Sequence, residues 1–244
     1  MIEVRSLCKS FNTIVAVENL SFQAGKGQIT GLVGHNGAGK TTTFRILAGL
    51  LTPDDGHGAI DGFDVVADRV EAQSRLGILP DVRGLYPRLT AREHVRYFGS
   101  LHGLKGKELE ARLQVLIDRL GMADFADRRA RGYSRGQELK VALARALIHD
   151  PNTLILDEPT NGLDVPSTRA VHDVIRERKH FGSAILISSH IMSEIAELCD
   201  KLIIIAAGRL VMEGAPHELI RRTGHKRLEE VMLAAQTDSK DAAE

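Results

Sequence analysis

Residues 29–50 constrain this chain more than any other stretch. An apolar run at residues 29–33 leads into Gly34-His35-Asn36-Gly37-Ala38-Gly39-Lys40-Thr41, and a helix-forming segment, Thr42 to Leu50, follows Thr41. A buried strand, a glycine-rich loop and a helix start in that order make a phosphate cradle. The glycines let backbone N–H groups converge on an anion, and the helix N-terminus adds the positive end of its dipole. Lys40 is expected to neutralise β and γ phosphates, and the Thr41 hydroxyl to ligate Mg2+. A plain glycine-rich turn is the alternative for such a loop taken alone.

Further apolar runs at residues 76–79, 154–156, 184–187 and 202–205 alternate with helical stretches, as buried strands of a mostly parallel sheet do. The fold class expected is α/β, a P-loop NTPase core. Residues 2–7 and 15–22 alternate polar and apolar positions, which predicts a small N-terminal antiparallel β layer. From about 86 to 150 the pattern is helical. It opens on Thr90 and Glu93 spaced as a capping box and continues through Leu109, Leu113, Leu116 and Leu120. This predicts an inserted helical subdomain whose leucines are core. The expectation is one domain over residues 1–235 and a polar, fraying tail at 236–244, with Pro166 and Gly224 punctuating helices.

Lys plus Arg equals Asp plus Glu at 32 each, so no net field favours nucleic acid as a partner. Cys8 and Cys199 are too few for a disulfide framework and read as small core residues, and no leader pattern is visible, which favours the cytoplasm. No apolar run approaches the roughly 20 residues that span a bilayer. His57, His94, His102 and His149 show no metal-ligand spacing.

Residues 154–158 read as an apolar strand ending in Asp157 and Glu158, which puts two carboxylates at the sheet edge where nucleotides bind in open α/β folds. Asp157 suits magnesium. Glu158 suits a general base, since a carboxylate beside metal and phosphate can orient water and accept its proton. Alone, Asp-Glu-Pro after a strand is more often a turn, and only the phosphate loop reverses that.

Together these residues resemble the ATP-binding cassettes of ABC transporters. Tyr133-Ser134-Arg135-Gly136-Gln137 is similar to the family's signature loop, Asn161-Gly162-Leu163-Asp164 to its D-loop, and Ser188-Ser189-His190 to its switch histidine. Phe11 stands where the family stacks adenine on an aromatic ring. The resemblance covers about residues 1–220. It implies that Ser134, Gly136 and Gln137 complete the nucleotide site of a second copy, so that two chains close around two MgATP, that Asp164 of the D-loop is a nucleotide-binding residue, and that His190 contacts the γ-phosphate. Ordinary alternatives are a core role for Phe11 and a surface-loop role for His190.

Two positions depart from the family pattern. Asp81 replaces the usual Gln after residues 77–79 and is expected to keep a metal-side role. Arg135 replaces a glycine and either reaches phosphate or points to solvent. The stretch from Gly84 through Phe98 resembles cassettes of the sodium-export (NatA) type, whose transmembrane permease subunits are separate chains. The resemblance therefore implies an ATPase subunit, peripheral on the cytoplasmic side of the membrane, driving export, with partner contacts from about residue 81 to 97. A soluble cassette acting on ribosomes or chromosomes and a nucleotide-gated module with little turnover are the competing classes.

Overall fold

The computed structural model describes residues 1–82 and 84–241. Strands β1 (Ile2–Phe11) and β2 (Ile14–Ala24) pair antiparallel, with Phe11 opposite Ile14 across a turn at Asn12, whose φ of 52° is one that Asn tolerates. Alternation along the hairpin buries Ile2, Val4, Leu7, Val17, Leu20 and Phe22 on one face. β3 (Gln28–Val33) then crosses into the second sheet, and α1 (Lys40–Leu47) follows the glycine loop. The helix starts two residues earlier than the sequence pattern implies, because Gly39 at φ 105° closes the loop directly onto Lys40. It ends at Leu47, where Ala48 caps it and Gly49 turns left-handed, so Leu50 is exposed.

β4 (Asp55–Ile60) and β5 (Phe63–Asp64) return to the first layer, giving the order β2-β1-β4-β5. α2 (Arg69–Ser74) leads into β6 (Leu76–Leu79). The insertion that comes next is α3 (Ala91–Leu101), α4 (Gly106–Arg119) and α5 (Arg135–Leu147). The expected capping box opens α3: Glu93 N–H donates to Thr90 Oγ1 at 3.1 Å and Thr90 N–H to Glu93 Oε2 at 2.8 Å. Leu109, Leu113 and Leu120 are buried, with Leu116 packed at the edge of the same cluster.

The chain closes with β7 (Thr153–Asp157), α6 (Val165–His180), β8 (Ala184–Ser188), α7 (Met192–Leu198), β9 (Lys201–Ala206), β10 (Arg209–Gly214), α8 (Pro216–Thr223) and α9 (Leu228–Asp241). The second sheet runs β10-β9-β3-β8-β7-β6, parallel throughout except for the β9–β10 hairpin. Both of its faces are covered, and side chains alternate between two cores. Leu154, Leu156, Ile185, Ile187, Leu202 and Ile204 point toward the helical insertion, α6, α7 and α9. Ile155, Leu186, Ile203 and Ile205 point toward α1 and the antiparallel layer. Burial of each such side chain contributes about 2 kcal/mol, which holds the carboxyl ends of β3, β7 and β8 side by side. Cys199 is buried as expected, whereas Cys8 is only half-buried and accepts a hydrogen bond from Asn19 N–H. The expected boundary at residue 235 falls inside α9, whose backbone is helical to Asp241; residues 242–244 of the expected tail lie outside the described residues.

Candidate nucleotide site

The loop after β3 is shaped by close approaches that exclude side chains. A Cβ on Gly34 would stand 2.4 Å from the Ile205 carbonyl oxygen, and one on Gly39, already at φ 105°, 2.5 Å from that of Ala16. β9 and β2 thus wall the loop, and Gly208 N–H donates to Ala38 O at 3.1 Å. Ala38 is buried against this wall and does not face the cleft, unlike Gly34, His35, Asn36, Gly37, Gly39, Lys40, Thr41 and Thr42, which do. The first turn of α1 carries no acidic residue and no side-chain cap, so the positive end of its dipole is left to the loop. Lys40 Nζ donates to the carbonyls of Gly34 at 2.6 Å and His35 at 3.0 Å. Burial lowers its pKa, while Glu158 and Asp157 pull it back up.

Across the cleft, β7 and β8 end in register with Asp157 opposite Ser188. Ser188 Oγ donates to Asp157 Oδ1, and Glu158 N–H donates to Ser188 Oγ at 3.1 Å. Asp157 is 6% exposed, and its pKa is raised by burial first and then by Asp81 and Glu158, against the hydrogen bond from Ser188 and the charge of Lys40. Glu158 adopts φ 51°, and its Oε2 lies 2.8 Å from His190 Nδ1. An acidic trio and one lysine therefore share one end of the cleft, an arrangement that suits a cation between carboxylates and phosphate.

The whole cleft has a volume of about 1040 Å³. Phe11 forms its apolar side with Ile14 and Val15, all at least 45% exposed, at the tip of the β1–β2 hairpin. Asp81 also lines it. Sequence reasoning missed Asn161 and Met192 here, and above all Glu229, Met232 and Leu233 of α9. The spacing of Leu228, Val231, Met232 and Ala235 was readable as a buried stripe, but nothing in it tells which neighbour the next face meets.

Ser134, Gly136, Gln137 and Asp164 are brought to a different surface. Ser134 caps α5 with a reciprocal box, Gln137 N–H to Ser134 Oγ at 3.2 Å and Ser134 N–H to Gln137 Oε1 at 3.0 Å. Asp164 caps α6 by accepting from Ser167 N–H at 2.9 Å, and that hydrogen bonding lowers its pKa. The two caps adjoin each other: a Cβ on Gly136 would stand 3.2 Å from Leu163 Cδ2. None of the four lines the cleft around Lys40.

Residues 17–161 match the family model described as ABC transporter. The chain is 45% identical over 207 residues to the ABC transporter ATP-binding protein NatA of Bacillus subtilis, covering 84% of each. The chain belongs to the ABC transporter family. The cassette is also 37% identical over 220 residues to a Nod factor export ATP-binding protein I of Cupriavidus metallidurans, covering 90% of this chain and 73% of that one. A solved ATP-binding subunit of an ABC transporter superposes with TM-score 0.90 at 29% identity, over 96% of this cassette and 99% of that chain. A dimeric post-hydrolysis cassette bound to ADP and Pi shares the fold, with TM-score 0.81 at 23% identity over 88% and 98% of the two chains.

Proposed function

We propose that this ABC transporter ATPase subunit hydrolyses MgATP in a sandwich of two copies, and that the cycle drives export through separate transmembrane permease subunits. The observation that carries the reading is a division of labour. Lys40, Asp157, Glu158 and His190 meet in one cleft, while the signature residues sit on a separate exposed helix end of the same chain. A second copy offers its helix end to the first copy's cleft, and the reverse, so one sequence supplies both halves.

The adenine stacks on Phe11 beside Ile14 and Val15, and residues 34–37 and 39–42 hold the phosphates. The Thr41 hydroxyl, Asp157 and Asp81 would hold magnesium. Among the described residues no three His, Cys, Asp or Glu groups are gathered as a metal site by themselves, and a hydroxyl and two carboxylates completed by phosphate oxygens are the donor set this ion accepts. When bound, magnesium screens the charge of the transferring phosphoryl group. Glu158 orients the attacking water and takes its proton. His190 fixes the Glu158 carboxylate through the 2.8 Å contact and reads the γ-phosphate. Lys40 neutralises the β and γ oxygens. Ser134, Gly136, Gln137 and Asp164 serve the partner copy's nucleotide, so the γ-phosphate bridges the two copies and its loss lets them part, a two-state change biased by one ligand.

Export is supported by the relatives named above, two of them named for transport or export. The subunit works peripherally at the cytoplasmic side of the membrane; among the described residues no helix is long and apolar enough to cross it. Tyr86 at 53% and Tyr97 at 47% exposure, beside Pro87 and Leu89, offer permease subunits an apolar surface on the insertion. The neutral net charge argues against a nucleic-acid partner. The test is steady-state ATPase against protein concentration, with Glu158→Gln as comparison. The rate per chain rises with concentration, and the variant dimerises with ATP while turning over about 10³-fold slower. Full turnover in Glu158→Gln removes the base assignment.

A further inference from the structure

We infer that Glu194 is a positioning residue that ties the loop carrying Glu158 to the helix following His190, and so sets the register in which those two side chains meet. The inference rests on the catalytic reading given above and deepens it. β7 and β8 stay in ladder register only as far as Asp157 and Ser188. Beyond that pair the chains separate, one into the loop from Glu158 to the α6 cap at Asp164, the other through His190 into α7. The Glu158–His190 contact spans the gap, although His190 is 64% exposed and Glu158 holds a left-handed φ of 51° that non-glycine residues rarely adopt. A strained backbone at a functional carboxylate persists only where its surroundings fix it.

A second cross-link lies behind that contact. Thr160, two residues after Glu158 and 4% exposed, donates its hydroxyl to Glu194 Oε2 at 2.6 Å. Glu194 is in the first turn of α7, four residues after His190. The same oxygen faces His172 of α6, whose Nε2 is 3.8 Å away, buried, and without a hydrogen-bond partner among the described residues. One carboxylate oxygen therefore engages three elements: the loop after β7, α6 and α7. Its acceptor capacity matters for position, because truncation strands the buried Thr160 hydroxyl across the gap. An acid in a first helical turn also has an ordinary role toward the helix dipole. That role depends on charge, whereas the cross-link depends on an acceptor.

The two are separable in the full chain by ATPase kinetics and by imidazole 15N NMR of His190. Glu194→Ala and Thr160→Val lower kcat about tenfold, the scale on which small misplacements act, with KM for ATP within about twofold. Glu194→Gln and Thr160→Ser, which keep acceptor and donor, stay within about threefold of the parent. The hydrogen-bonded Nδ1 signature of His190 is lost in Glu194→Ala and kept in Glu194→Gln. A Glu194→Ala variant with parental kcat and an unmoved His190 spectrum overturns the inference. So does a loss shared equally by Glu194→Gln and Thr160→Ser and tracked by the melting temperature, which marks a purely structural acid. Glu158→Gln assayed alongside keeps the two readings apart, since undiminished turnover there removes Glu158 as base whatever the His190 spectrum does on changing Glu194.

Discussion

Lys40 and Ser134 both stand at the start of a helix, yet the two ends are built by opposite means. At α1 the cap is Gly39, no side chain accepts from the first-turn N–H groups, no acid lies in that turn, and the Lys40 ammonium rests on loop carbonyls. At α5 the first turn is closed on itself by the Ser134–Gln137 box and carries Glu138. The α1 end is walled by β2 and β9, whereas Ser134 and Arg135 are exposed. A walled, uncapped end with a lysine suits an anion held in its own chain's cleft. A self-capped, exposed end is folded before any ligand arrives and is suited to meet one carried by another molecule.

The first way to break this contrast is to remove the charge at the walled end. Lys40→Met is expected to weaken ATP binding by the monomer about 100-fold, the upper range for a hydrogen bond to a charged group, read by displacement of a fluorescent nucleotide. Changes at Ser134 are expected to leave that affinity within about twofold. Their effect falls on the ATP-driven dimer. Ser134→Asp retains a good N-cap, so the melting temperature holds, but it sets a carboxylate against the partner's γ-phosphate. In the Glu158→Gln background, sedimentation is expected to show ATP-driven dimerisation weakened roughly 30-fold, which at about 1.4 kcal/mol per tenfold is about 2 kcal/mol. Undiminished dimerisation would mean that the α5 end does not face nucleotide.

The walled end was legible in the sequence because its parts are covalent neighbours. Gly34 to Thr41, and Asp157 with Glu158, carry their chemistry and their strand or helix context within a few residues. The continuous apolar runs gave β3, β6, β7, β8 and β9 to within one or two residues for the same reason. β4 was not legible, since Asp55-Gly56-His57-Gly58 offers no apolar pattern and becomes a strand only by pairing with β1. β10 is likewise a half-buried edge strand whose partner, β9, defines it. The lining contributed by Glu229, Met232 and Leu233 and the Thr160–Glu194 cross-link exist only through packing of distant segments. The proposal that Ser134 serves another copy rests on family resemblance, and its support in the structure is the separation from Lys40.

Acid is expected to strain the half that carries α5. His102, at the end of α3, and His149, just after α5, stack at 3.6 Å with planes 3° apart, and His149 Nε2–H donates to Leu76 O of β6 at 3.2 Å. Among the described residues the buried His149 Nδ1 has no hydrogen-bond partner. Burial, and then His102, depress the His149 pKa from its ordinary 6.5 to about 4, and burial depresses that of His102 as well. A histidine held neutral by the fold contributes stability that is complete above pH 6.5 and is lost as pH falls toward 4. Allowing for solvent at half-buried His149 beside exposed His102, unfolding free energy is expected to drop by about 2 kcal/mol over that window. Denaturant titrations at pH 7, 5.5 and 4.5 read the drop. His149→Gln is expected to flatten it, and amide exchange in α5 to accelerate before that in α1.

The smallest expected effect belongs to Arg135, and it sharpens what the exposed end contributes. Sequence leaves its guanidinium either on the partner's phosphate or in solvent. In the structure the side chain lies along its own chain's loop: a Cβ placed on Gly162 would stand 3.6 Å from Arg135 Cβ and 3.8 Å from its Cδ. A cation in the first helical turn opposes the dipole, so the stem's packing on the loop between Glu158 and Asp164 is the contact that the fold itself supplies. Arg135→Gly and Arg135→Lys are therefore expected to change ATP-driven dimerisation by less than about threefold, the range of an exposed electrostatic contact, with the same salt dependence as the parent. A loss of tenfold or more in Arg135→Gly that Arg135→Lys partly restores and that high salt abolishes would instead move the guanidinium onto the partner's phosphate. The exposed end would then carry a charge of its own, and its difference from the walled end would be one of ownership rather than of chemistry.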